Sequence, residues 1–264
     1  LRLPLSAAPG CLPPPFPPTE HAAPWTLPAG PEPERTLQHD DGVSGFSEDG
    51  SEAVIRQPLL SPWEHPLANG VFGALASESA TGSTWFGRRT RRLRPAKGEP
   101  FYPPDEDSGA AWSPTPWPMP SGEPYRTRHG FGYTLFEHQA HGIRSELRSF
   151  VAPGAPLKYA VLRLRNLSSA PRRLSATGYV QWWMDEKDLD PGLQIVTSID
   201  VASGALLARN AFGAGFGDQV GFFHLDAQQA AYTADRREFV GRHRSLERPA
   251  ALARKGLAGT PGAG

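Results

Sequence analysis

From Asp41 onward, no long stretch of this chain carries an apolar repeat of 3.6 residues, and short apolar runs are cut every few positions by glycine or proline. A chain with many short period-two runs and no apolar helical stripe buries a core by packing antiparallel sheets face to face. The alternation is clearest from Gly142 to Val151, with Ile143, Leu147 and Val151 on one side and Arg144, Glu146 and Arg148 on the other. That pattern predicts a half-buried strand. Leu157 to Asn166 repeats it, setting Leu162 and Leu164 against Arg163 and Arg165. The run Asn166 to Pro171 has turn chemistry, and Arg172 to Met184 resumes with Leu174, Ala176, Val180 and Trp182 directed inward, so these two long runs are expected to form a hairpin.

Shorter strands are expected at Ala53 to Gln57, where Pro58 ends the run, at Val71 to Ser77, and beyond Gly82 into Trp85 and Phe86. Further ones fall at Gln194 to Ile199, Ala205 to Ala208, Val220 to Asp226 and Ala230 to Thr233, with Trp63 to Asn69 as a connecting loop. The fold class is all-β, an antiparallel sandwich in one domain over residues 41–251. Ahead of it, residues 1–36 hold eleven of the 29 prolines, which remove backbone donors and block pairing; residues 1–40 therefore read as a disordered tail. Residues 252–264 read as the start of a linker. The chain begins at Leu1, as a fragment would.

Lysine plus arginine and aspartate plus glutamate each number 27, so no overall field favours nucleic acid. Cys11 is the single cysteine, which rules out an intrachain disulfide or a cysteine zinc site. No apolar run approaches the roughly 20 residues of a membrane span, and a soluble, cytoplasmic protein is expected. The six cations from Arg88 to Lys97 read as a solvated loop, with phosphate binding as the sharper alternative.

Aromatic and charged groups are densest between Phe101 and His138. An acidic turn (Asp105, Glu106, Asp107) leads to Trp112 and Trp117 in a proline-rich loop, then to a basic and aromatic strand with Arg128, His129, Phe131 and Tyr133. Sugars are bound by rings that pack on their C–H faces and by charged groups that pair with their hydroxyls. Asp105, Asp107, Trp112, Trp117, Arg128, His129, Phe131 and Tyr133 are therefore the candidate carbohydrate-binding residues. Other chemistry is weaker here. A calcium loop of EF-hand type needs glycine sixth and glutamate twelfth, whereas Gly109 is fifth and Pro116 twelfth. His129, His138 and His141 lack zinc-ligand spacing, because His138 and His141 would face opposite sides of a strand. No G-x-S-x-G elbow, phosphate loop or dinucleotide fingerprint occurs, and no cofactor is implied. Glu137 beside His138 is the best local acid and base pair, although strand neighbours point apart.

The blocks GFSEDGSEAVIR, FGALASESATGSTW, FYPPDEDSGAAWSPTPWP, YRTRHGFGYTLFEH, GIRSELRSFV, LRLRNLSSAPRRLSATGYVQW, GALLARN and DRREFVGR, in that order, resemble the N-terminal domain of cyclic β-1,2-glucan synthases and cellobiose and chitobiose phosphorylases, glycoside hydrolase family 94. The resemblance covers about Asp41 to Ala251. It departs from the family in a shorter Arg94 to Glu99 segment, in Pro104 where arginine is common, and in Gln181 where glutamate is common.

The resemblance implies a galactose-mutarotase-like β-sandwich that binds a β-glucan or glucosyl oligosaccharide and packs on the enzyme's own (α/α) barrel, with a homodimer as a further partner. That barrel would carry the catalytic acid and would lie outside this chain. The segments matching a loop near a catalytic pocket are Trp112 to Pro118 and Arg128 to Tyr133. A cyclic glucan synthase would also place the full-length protein at a membrane. Two alternatives are a purely structural packing or dimerisation module, and a stand-alone mutarotase-like enzyme using His129 and Glu137 as acid and base.

Overall fold

The computed structural model describes residues 36–57, 59, 61–87, 99–184, 194–212, 217–226, 231–254 and 256–259. Most of the proline-rich segment and the cation run from Arg88 to Lys97 lie outside them. Every described strand and helix belongs to one compact unit, Leu37–Gly264.

Its largest element is a six-stranded antiparallel sheet formed by β1 (Ser44–Phe46), β2 (Glu52–Ile55), β7 (Tyr125–Gly130), β8 (Tyr133–Ala140), β9 (Ile143–Val151) and β10 (Lys158–Asn166), in that order across the sheet. Because directly paired residues share a face, the register separates two rows of chemistry. The inner face carries Ile55, Thr127, Phe136, Leu147 and Leu162 in one row. A three-stranded sheet packs there, made of β3 (Glu64–Ala68), β4 (Phe72–Ser77) and β5 (Gly82–Phe86). The Thr127 hydroxyl donates to the Glu78 carbonyl across the layers at 2.8 Å. Between the layers a cleft lined by Leu75, Phe136, Leu147 and Lys158 encloses about 40 Å³, room for roughly one water and not for a sugar.

Two smaller sheets complete the described fold. β6 (Phe101–Tyr102) pairs with β11 (Thr177–Gly178), and β12 (Val196–Ile199), β13 (Leu206–Arg209) and β14 (Gly221–Phe223) form a three-stranded sheet. Tyr102 anchors an apolar cluster with Phe239, Val240, Leu246 and Ala251, drawn from a short helix, α1 (Arg236–Phe239), and a 3-10 turn at Ala250–Ala253. Asp235 caps α1 by accepting from the Arg237 N–H at 2.7 Å.

The antiparallel all-β expectation holds, and three local expectations do not. Glu64 to Ala68 is a strand, not a loop: it is an edge strand, where Pro66 is tolerated, and it buries Leu67. The hairpin partner of β10 is β9, and Arg172 to Met184 contributes only β11 and an isolated bridge from Leu174 to Asp105. The physical cause is the Asn166 turn, whose side chain bonds Ser168 and Ala170, followed by capture of Arg172 by the buried Asp105 carboxylate. No strand forms at Ala231 to Thr233.

Candidate functional site

The outer face of the six-stranded sheet collects charge and aromatic surface in successive cross-strand rows. One row runs Glu52, Gly130, Tyr133, Phe150, Tyr159, and the next Val54, Arg128, Leu135, Arg148, Val161. A third holds Arg126, Glu137, Glu146 and Arg163, and a fourth Gln139, Arg144 and Arg165. The alternation along β9 predicts a charged side open to water, yet Arg144 is 9% exposed and Glu146 3%. Burial is tolerated because opposite charges interleave. Arg144 lies 3.1 Å from Glu146 and 3.5 Å from Glu137, and Arg128 lies 3.7 Å from Glu137.

Tyr133 is placed by a glycine. A Cβ on Gly130 would sit 2.4 Å from the Tyr133 ring, so only glycine lets that ring lie back across β7 and reach β2. There its hydroxyl donates to Glu52, which also accepts from Arg128 Nε at 2.9 Å and from the same guanidinium's terminal nitrogen. Two bonds from one guanidinium make a fork of the strong, charge-assisted type. Burial, reinforced by the bond to Glu52, raises the Tyr133 pKa. The Arg148 guanidinium stands over the ring at 4.0 Å, and Phe150 stacks on Tyr159 with centroids 5.1 Å apart. Tyr159 is 42% exposed, so this aromatic row reaches solvent. At the β7–β8 turn Phe131 is 87% exposed, followed by Gly132 at φ +80°.

The eight residues singled out from sequence do not converge. Arg128 and Tyr133 share the outer face, with Phe131 at its rim. His129 points the other way, into the layer interface, where its Nδ1 and that of His65 both lie 3.0 Å from the Thr134 hydroxyl. Burial, with the nearby His65, pushes the His129 pKa down to about 4. Asp105 is fully buried and accepts from Arg172, Ser108 and the Asp107 N–H. The Arg172 guanidinium, followed by the Ser108 hydroxyl, holds its carboxyl far below the usual range. Glu106 bonds Ser175 and the exposed Asp107 pairs with Arg173 at 2.9 Å, so the acidic turn clips the 172–175 segment in place. Trp112 is fully buried, its ring 5.2 Å from that of His141. Trp117 packs on the Tyr102 cluster and donates to Glu247 at 3.3 Å.

The acid and base considered for mutarotation are separated as well. Glu137 lies on the outer face and His129 on the inner, so a sheet stands between them. His138 stacks on Tyr125 at 3.6 Å; Nδ1 donates to the Pro124 carbonyl and Nε2 accepts from Ser121. Both its nitrogens are thus engaged in structure. Glu52, Arg148 and Phe150 were missed as site residues, although the repeated Arg and Glu positions of β9 and β10 signalled a common charged face.

An antiparallel sandwich with a charged, aromatic outer sheet face belongs among β-sandwich modules, and comparison with known sequences makes the class specific. Residues 51–264 match the description "Glycosyl hydrolase 94, supersandwich domain". The chain belongs to that family. It is 30% identical over 228 residues to the cyclic β-(1,2)-glucan synthase NdvB of Rhizobium meliloti, covering 80% of this chain and 8% of that protein. It is 26% identical over 226 residues to the N,N'-diacetylchitobiose phosphorylase of Vibrio furnissii, covering 79% of this chain and 28% of that enzyme. It is also 26% identical over 141 residues to a 3-O-β-D-glucopyranosyl-β-D-glucuronide phosphorylase of Paenibacillus borealis, covering 53% of this chain and 18% of that enzyme. The chain thus spans less than a third of the length of these relatives. Among the described residues, no helix is long and apolar enough to cross a membrane.

Proposed function

We propose that this chain is a carbohydrate-binding and domain-packing module of a β-glucan phosphorylase or glucan synthase-like protein, with the catalytic (α/α) barrel supplied outside residues 1–264. The observation that carries the reading is the Phe150–Tyr159 stack, whose tyrosine is 42% exposed, beside the Glu52, Arg128 and Arg148 groups gathered around Tyr133. Rings that meet sugar C–H faces, beside carboxylate and guanidinium groups that pair with hydroxyls, are what saccharide recognition requires. Family membership supports a sugar ligand. In this reading Arg128, Phe131 and Tyr133 border the contact, while the buried Asp105, Trp112 and His129 belong to the packing around it. Asp107 is held by Arg173, and Trp117 packs on the Tyr102 cluster.

Titration of the full chain with a β-gluco-oligosaccharide, followed by calorimetry, tests the reading. Tyr159→Ala should weaken binding about tenfold, since an aromatic platform is worth on the order of 1 kcal/mol or more. Wild-type chain that binds no glucan would leave only the packing role.

A further inference from the structure

Asparagine followed by glycine is the dipeptide that loses its side-chain amide most readily, because a residue without Cβ lets its backbone nitrogen approach the preceding side chain unhindered. The chain holds three asparagines, Asn69, Asn166 and Asn210, and of these Asn69 alone precedes a glycine. It stands half-buried in the turn between β3 and β4, while Gly70 beside it is exposed, with open space where a Cβ would lie.

The Asn69 amide does more than shape its own turn. Its Oδ1 accepts from the N–H groups of Val71 at 3.0 Å and Phe72 at 2.9 Å. Its Nδ2 donates to the carbonyls of Ala152 and Ala155, both at 2.8 Å. Those two carbonyls lie in the turn between β9 and β10, which the Ala152 N–H closes by donating to Leu157 at 2.9 Å. One side chain thus spends both donors on one sheet and its acceptor on the other. Only an amide can do this. Aspartate would keep an oxygen for Val71 and Phe72 but would turn the other toward two carbonyl oxygens, leaving them without a donor.

We infer that Asn69 is a deamidation site that doubles as a clip between the two sheets, so that its conversion to aspartate or isoaspartate unfastens the β3–β5 sheet from the β9–β10 turn. In the covalent step the Gly70 backbone nitrogen bonds to Asn69 Cγ and gives up its proton, the Cγ–Nδ2 bond breaks, and ammonia leaves with that proton. Solvent water then opens the cyclic imide at one of its two carbonyls, giving aspartate or isoaspartate; the net exchange is water in and ammonia out. Isoaspartate also lengthens the backbone inside a turn that the Asn69 N–H closes on the Phe72 carbonyl at 2.9 Å. Four hydrogen bonds hold the amide while the turn is shut, so its loss follows local opening of this end of the layers.

The test incubates the full 264-residue chain at mildly alkaline pH, native and in denaturant, and maps its peptides by mass spectrometry. Conversion at residue 69 ahead of Asn166 and Asn210 is expected in both, faster in denaturant, and Gly70→Ala, which the open space admits, should slow it severalfold. Asn69→Asp supplies the product directly. Its melting temperature should fall by about 4 °C or more, and amides of β3 to β5 should lose hydrogen-exchange protection before those of β7 to β10. The deficit against wild type should shrink below about pH 4, where a protonated acid donates to one carbonyl again. The aged wild-type fraction, separated by its added negative charge, carries the same exchange measurement if the variant does not fold. A native chain that keeps the Asn69 amide, or loses those of Asn166 or Asn210 first, overturns the modification site. Exchange protection and melting temperature unchanged in the aspartate form overturn the clip.

Discussion

The loop from Asp105 to Pro118 and the outer face of the six-stranded sheet are built from the same residue types and put them to opposite uses. In the loop, each carboxylate is matched to a partner of the 172–175 segment, and Trp112 is wholly enclosed. On the sheet face, carboxylates and guanidinium groups interleave along the cross-strand rows, and the aromatic row ends in a half-open tyrosine. Composition therefore does not separate a structural clip from a recognition surface. Access to the rings does.

The largest test of this contrast is Trp112→Ala. Emptying a fully buried tryptophan site should cost about 3 to 5 kcal/mol, read as a lower denaturant midpoint, while saccharide affinity of the folded fraction stays unchanged. A selective loss of affinity at unchanged stability would return Trp112 to the binding site and erase the distinction.

His129, on the sheet's inner face, supplies an intermediate case. Its folded pKa near 4, lowered by burial and by His65, lies below the unfolded value of about 6.5. The unfolded chain therefore takes up more protons, and stability rises with pH in this range. The contribution is fully present above about pH 6.5 and is lost as pH falls toward 4, on the order of 3 kcal/mol. Unfolding midpoints measured across that window should show the slope, and His129→Gln should flatten it. A slope unchanged in that variant would assign the titration elsewhere.

The smallest effect belongs to Asp107, whose pair with Arg173 is 54% and 73% exposed on its two sides. Asp107→Asn should shift stability by less than about 1 kcal/mol, and added salt should shrink even that. A change several times larger would mean that the clip depends on this outer pair and not on the buried Asp105.

Much of the fold was legible because period-two alternation is a local property. The runs at 143–151 and 158–166 announce strands wherever they pair. Pairing partners were less legible. Arg172 to Met184 reads as a strand as well as β10 does, but a buried carboxylate more than sixty residues earlier draws its start away. The site was partly legible for the same reason: Arg128 and Tyr133 stand out by density, whereas Glu52 and Phe150 look ordinary until register brings them into one row.

The sequence by itself determined that the chain folds as antiparallel sheets, which side of β9 and β10 is charged, and its family, since each depends on short-range spacing and ordered motifs. Only the tertiary structure decided that the charged side is largely buried, that Trp112 and Asp105 are closed, and that His129 and Glu137 stand on opposite faces. Those outcomes depend on which strands lie side by side, and a one-residue change of register would invert every face.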